Sequence, residues 1–169
     1  NVAICQNRPV VFFSLEMFNA QIGIRILAAV SRTPIDRMHA GLETSADRKN
    51  IAAAKEAISK ASYWCDCKSK NTVAAMRARC QVIRRQHGLG LVIVDYCQLV
   101  QPTKSSMPRE QQVAEISRDL KRLAKDLEVP VLLLAQLNRE AEKERPALHH
   151  LRESGSLEQD ADQVLFLWN

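Results

Sequence analysis

Short apolar blocks alternate with amphipathic stretches along the whole chain. PVVFFS at 9–14 is continuously apolar and closes on a small polar residue, which predicts a strand buried on both faces of a parallel sheet. FNAQIGIRILAAVS at 18–31 repeats apolar residues at helical spacing and predicts a helix. Pro34 stands where it would open a short helix and Gly41 where it would close one. From Thr44 a capped run of strong helix formers carries Ile51, Ala54, Ile58 and Ala61 on one stripe, so a longer helix is expected there. YWCDC at 63–67 reads as a short strand, and NTVAAMRARCQVIRRQHG at 71–88 as a helix that gathers basic residues towards its end and stops at Gly88.

LVIVDY at 91–96 is the next apolar block, followed by a polar, proline-bearing loop at 101–110. An amphipathic helix over 110–128 is set by Val113, Ile116, Leu120, Leu123, Ala124 and Leu127. Pro130 then opens VLLLAQ at 131–136, a charged loop-like stretch covers 138–150, and QVLFLW at 163–168 predicts a last strand. Strands alternating with helices, each strand a short apolar block rather than an in-out alternation, point to an α/β architecture with a mainly parallel sheet.

Composition adds little to that pattern. The 169 residues suit one domain, and 46% hydrophobic with 25% charged residues is the make-up of an ordinary globular protein. No apolar run reaches the roughly 18 to 20 residues of a membrane span, and NVAICQNRP does not read as a secretion leader, so a cytoplasmic protein is expected. Five cysteines at irregular spacing, with Cys65-x-Cys67 lacking a second pair, read as reduced thiols rather than a zinc site. The net charge of +5 is spread along helices, so it permits an anionic partner without requiring one. Arg77, Arg79, Arg84 and Arg85 read as a solvated helix surface.

In a parallel sheet, ligands bind where strands end, so the polar residue closing each block carries most information. VVFFSLE reaches Glu16, LVIVD reaches Asp95 and VLLLAQ reaches Gln136. Four apolar residues followed by Asp form the Walker B pattern, a carboxylate that holds Mg²⁺ beside a triphosphate, usually through water. A carboxylate two residues past a strand, as Glu16 is, can orient the water that attacks a γ-phosphate and draw off its proton. Gln136 can hydrogen-bond that phosphate. Taken singly, each is more often a polar residue capping a strand or a helix; taken together in this order, they favour one site.

The wording of the blocks goes further. FFSLEM at 12–17, GLGLVIVDYCQLV at 88–100, EISRDLKRLAKDLEVPVLLLAQLNRE at 115–140 and LRESGSLEQDADQVLFL at 151–167 resemble successive blocks of DnaB-type replicative DNA helicases. That resemblance implies a RecA-like P-loop NTPase core of three α/β/α layers, a sheet with helices on both faces, incomplete at both ends. It implies ATP and Mg²⁺ as cofactors, with Glu16 as catalytic glutamate, Asp95 as the aspartate serving the metal and Gln136 as the γ-phosphate sensor. Arg152, Glu153 and Gly155 match the loop that touches the phosphates of single-stranded DNA, and further expected partners are a homo-hexameric ring, primase and a helicase loader.

Two departures accompany the resemblance. Cys97 replaces the leucine usual in DYLQL, and a buried cysteine acts as a small hydrophobe; His149 and His150 read as loop residues without a role. More consequentially, no G-x-x-x-x-G-K-[ST] occurs in the 169 residues, so nothing in them supplies the backbone cradle and lysine that hold the β- and γ-phosphates. The resemblance places that loop upstream of residues 1–3, which would end the helix after it, and an arginine finger beyond FLWN. These 169 residues alone are therefore expected to hydrolyse ATP poorly. Two other readings stay open here: a non-catalytic RecA-like remnant serving assembly or DNA binding, and a recombinase- or clock-type ATPase on the same fold.

Overall fold

A computed structural model describes the chain except residues 1, 69–70, 104–105, 139–140, 142–143 and 169; of residues 152–154 it describes the backbone alone. The helical turn α1 (Val2–Cys5) leads into β1 (Val10–Ser14), α2 (Asn19–Ser31), α3 (Ile35–His39) and α4 (Ser45–Lys60). Next come β2 (Tyr63–Asp66), α5 (Val73–His87), β3 (Leu91–Asp95), α6 (Arg109–Leu127), β4 (Val131–Leu133) and α7 (Gly155–Asp160). Two 3-10 turns, Cys97–Leu99 and Leu148–Ser154, sit between these elements.

The four strands form one sheet in the order β2-β1-β3-β4, every neighbouring pair parallel. Parallel neighbours need a crossover, and α2 to α4, α5 and α6 supply those connections. Val11 and Phe13 of β1 and Val92 and Val94 of β3 are buried in one core with Met76, Cys80 and Ile83 of α5. The same core receives Val113, Ile116, Leu120, Leu123 and Leu127, the stripe of α6. Their three- and four-residue steps keep them on one helix face, which is why this long helix lies along the sheet. In the chain's first half, α2 packs against α4.

Local chemistry explains where the helices begin and end. Thr44 accepts a hydrogen bond from the Asp47 N–H at 3.1 Å while the Asp47 carboxylate accepts from the Thr44 N–H at 2.9 Å, a reciprocal cap that starts α4. Thr72 caps α5 by accepting from the Ala75 N–H at 3.2 Å. Gly88 ends that helix with φ +78°, a backbone that residues bearing a Cβ rarely adopt.

Three expectations need correction. β3 does alternate along its length despite its apolar composition: Val92 and Val94 are buried while Leu91, Ile93 and Asp95 between them are half-exposed. The predicted strand at 163–168 pairs with no strand among the described residues. A strand needs a neighbouring backbone to complete its ladder, and apolar composition cannot supply one; Leu165, Leu167 and Trp168 are 83%, 95% and 68% exposed. The solvated reading of the α5 arginines holds for exposed Arg79, Arg84 and Arg85 but not for half-buried Arg77, which pairs with Asp126; Arg84, while exposed, also reaches the Asp126 carbonyl at 3.2 Å and Glu128 at 3.5 Å, so both tie α5 to the end of α6.

Candidate active site

At the C-terminal edge of the sheet, β1 and β3 run in register so that Ser14 lies opposite Asp95. One further ladder bond, from the Leu15 N–H to the Asp95 carbonyl at 2.9 Å, carries the pairing past the end of β1. Leu15 is buried and anchors the chain there. The Ser14 hydroxyl, fully buried, then accepts from the Met17 N–H at 3.3 Å and donates to the Met17 carbonyl at 3.2 Å. This closed turn leaves Glu16, between buried Leu15 and half-buried Met17, exposed at the rim.

Asp95 ends β3 as a half-buried residue. Burial and, second, the negative charge of Glu16 hold its carboxyl above its ordinary value. Glu16 follows β1 just past Ser14, the register partner of Asp95, so two carboxylates stand at neighbouring strand ends, an acidic setting whose chemistry fits a divalent cation.

On the next strand, the ladder continues beyond β4 through bonds from the Leu134 N–H to the Val94 carbonyl at 3.0 Å and from the Cys97 N–H to the Leu134 carbonyl at 2.8 Å. Two residues later Gln136 is exposed on the same edge. Neighbouring strands lie about 4.8 Å apart, so the ends of β1, β3 and β4 put Glu16, Asp95 and Gln136 along roughly 10 Å of one rim. All three residues singled out from the sequence thus come together. Cys97 is fully buried, and burial pushes its thiol up to about 11, the behaviour of a small hydrophobe.

Of the other loop, the side chains of Arg152 and Glu153 lie outside the described residues. Their backbone forms part of the 3-10 turn that leads into α7, and Gly155 begins that helix with φ −52° and ψ −23°. A Cβ placed on Gly155 would meet nothing within 4 Å, so packing within the chain does not require glycine there. The helix α7 that follows is held to α6 at its far end by Ser117, which donates to the Asp160 carboxylate at 2.6 Å, and by Lys121, 2.5 Å from Asp162.

Two residues were missed in the sequence. His150, read as a loop residue, has a fully buried side chain whose Nδ1 accepts from the Ala147 N–H at 2.9 Å. A helical turn beginning at a residue without a capping hydroxyl hides that role. Gln98 lies between the Asp95 and Gln136 segments and bonds the Gln136 backbone twice. Its only sequence signal was a polar residue three positions past Asp95.

Comparison with known proteins bears on this geometry. The family model described as "DnaB-like helicase C terminal domain" matches residues 1–169. The chain is 44% identical over 168 residues to the replicative DNA helicase DnaB of Leifsonia xyli subsp. xyli, covering 98% of this chain and 37% of that protein. To the DnaB of Geobacillus stearothermophilus it is 41% identical over 172 residues, covering 99% and 38%. Among solved structures, one described as an ATPase domain superposes with a TM-score of 0.88 at 33% identity, covering 94% of this chain and 58% of that one. A DnaB-like replicative helicase, whose structure was described with its interactions with primase, also matches with a TM-score of 0.88 at 33% identity, covering 94% and 40%. The chain spans less than two fifths of the length of these curated relatives. Among the described residues, no helix is long and apolar enough to cross a membrane.

Proposed function

Because the chain belongs to the DnaB-like helicase C-terminal domain family, we propose that it forms part of a ring-shaped motor that uses ATP hydrolysis to move 5′ to 3′ along single-stranded DNA and open the duplex at a replication fork. The observation that carries this reading is the convergence of Glu16, Asp95 and Gln136 on one rim of a parallel sheet, with Ser14 opposite Asp95 in register.

Each group has a task that its setting suits. Glu16, exposed on a turn pinned by buried Ser14 and Leu15, is fixed in place yet open to a water molecule, so it orients that water and takes its proton as attack on the γ-phosphate proceeds. Asp95, made costly to ionise by burial and by Glu16, would help hold Mg²⁺, whose charge would offset that cost. When bound, the metal neutralises charge on the β- and γ-phosphates. Gln136 hydrogen-bonds the γ-phosphate and registers its loss.

Arg152, Glu153 and Gly155 form the loop that meets DNA, and the open space where a Gly155 Cβ would stand lets a phosphate approach the backbone there. Contacts of that kind ignore base identity, as a motor that grips every nucleotide must. The intact protein acts as a homo-hexamer, with primase and a helicase loader as candidate partners; the primase contact described for one structural relative supports the first of these.

The test is Glu16→Gln in the intact helicase chain. DNA-stimulated hydrolysis should fall by about 10²- to 10⁴-fold, the usual worth of a positioned general base, while nucleotide binding stays. Turnover at the wild-type rate would remove Glu16 from this role.

A further inference from the structure

Among the described residues, three clusters of reactive or polar side chains contain groups without an assigned role. Glu144, His149 and His150 bring their ligating atoms within 4.8 Å of one another, as a metal site would. The Ala147 N–H, however, donates to Nδ1 of His150 at 2.9 Å, so the ring proton belongs on Nε2, which faces Glu144 at 3.2 Å. A metal at Nε2 would force that proton onto Nδ1, against the Ala147 donor. This cluster is a hydrogen-bonded brace. Cys65 and Cys67 lie 3.4 Å apart, yet burial pushes the Cys67 thiol up to about 11, leaving little thiolate to react.

The third cluster is different in kind. Gln98, in the 3-10 turn after Asp95, donates from Nε2 to the Gln136 carbonyl at 3.2 Å and accepts at Oε1 from the Gln136 N–H at 3.3 Å. One planar amide thereby pairs with a backbone unit as a strand neighbour would, continuing the β3–β4 ladder after its backbone bonds end at Cys97 and Leu134. Gln98 is itself held: Arg109, at the start of α6, donates to its carbonyl and to the Gln112 side chain. Two residues beyond Gln136, the Asn138 N–H donates to the His150 carbonyl at 3.1 Å, and His150 is the buried brace of the turn that contains residues 152–154.

We propose that Gln98 is a positioning residue that fastens the Gln136 backbone to the turn after Asp95, and that the Asn138–His150 hydrogen bond carries that position on to the loop at 152–155. The proposal rests on the reading of Gln136 as the γ-phosphate contact and of 152–155 as the DNA contact. A shift of Gln136 on loss of the phosphate then moves the DNA loop instead of dissipating in a slack segment. The chemistry is specific to glutamine: a carboxylate would set an oxygen against the Gln136 carbonyl, and an alanine would remove both bonds.

The experiment uses the intact helicase chain as wild type, Gln98→Ala and Gln98→Glu. Affinity for a single-stranded oligonucleotide is measured with Mg²⁺ and either a non-hydrolysable ATP analogue or ADP, and amide hydrogen exchange is followed over residues 134–138. Wild type should bind DNA with about tenfold different affinity in the two nucleotide states, within the range of ordinary allosteric coupling. In both variants that ratio should fall to within about twofold, and in Gln98→Ala the Gln136 amide should exchange faster while the thermal transition stays cooperative. A wild-type ratio in either variant, or unchanged exchange at Gln136, overturns the proposal. Should wild type itself bind DNA equally in both states, the functional reading fails and the coupling with it, while the exchange measurement still decides whether the clamp exists.

Discussion

Replacing Leu123 with alanine, set beside the same change at Leu165, tests where the core of this chain lies. Leu123 of α6 is fully buried in the core cluster that also holds β1 and β3 residues, whereas Leu165 is 83% exposed. Truncating a leucine removes three carbons, worth about 2.4 kcal/mol at roughly 0.8 per methylene, and the cavity left behind raises the total to about 3 kcal/mol. For 169 residues the unfolding entropy is about 0.35 kcal/mol per degree, so the melting temperature should drop by about 8 °C. At Leu165 the cost should stay below about 0.5 kcal/mol, a shift of roughly 1 °C. Thermal melts of the 169-residue chain followed by circular dichroism provide the assay. A Leu165→Ala drop as large as that of Leu123→Ala would show that 163–168 packs as a core strand after all, and would refute the reasoning.

Two further outcomes follow from backbone and charge. Hydrogen bonds from the Thr44 N–H, from Arg37 and from the Thr44 hydroxyl lower the Asp47 carboxyl to about 2, below its unfolded value of about 3.9. Because the folded value is the lower one, the stabilisation is complete above about pH 4 and disappears as pH falls towards 2. The urea midpoint of wild type should therefore exceed that of Asp47→Asn at pH 6 and converge with it near pH 2; a gap that ignores pH would contradict this. Gly90→Ala should cost about 1–3 kcal/mol, since its Cβ would sit 3.0 Å from the Arg8 Cβ and 3.3 Å from the Pro9 carbonyl oxygen. Gly23→Ala, with nothing within 4 Å inside α2, should instead gain about 0.5–1 kcal/mol, and opposite signs in the two urea titrations are the check.

What the sequence showed, and what it hid, divides along the range of the interactions involved. α4, α5 and α6 were legible because a cap, a stripe and a stop signal are all local: Thr44 caps α4 and Gly88 ends α5 where expected, and the α6 stripe is the one buried. The rim of the site was legible because a polar residue closing an apolar block marks a strand end whichever strands are its neighbours. The run at 163–168 misled because a strand is a relation between two segments and the pattern displays only one. Gln98 and His150 were hidden for the same reason. Their partners, the Gln136 backbone and Glu144 with the Ala147 N–H, are fixed by how the loops fold together. The α5 arginines read as solvent-facing because Asp126 and Glu128 stand about 45 positions away.

The central claim is that the C-terminal ends of β1, β3 and β4 hold the reacting end of ATP while the loop at 152–155 holds DNA. Its most direct test is an experimental structure of the intact chain with Mg²⁺, a non-hydrolysable ATP analogue and single-stranded DNA. Glu16 should lie about 3 Å from a water in line with the γ-phosphate, with Asp95 reaching the metal through water and Gln136 on a γ-phosphate oxygen. A backbone N–H of the 152–155 loop should meet a DNA phosphate. A nucleotide seated elsewhere, with Glu16 and Asp95 facing open solvent, would contradict the account.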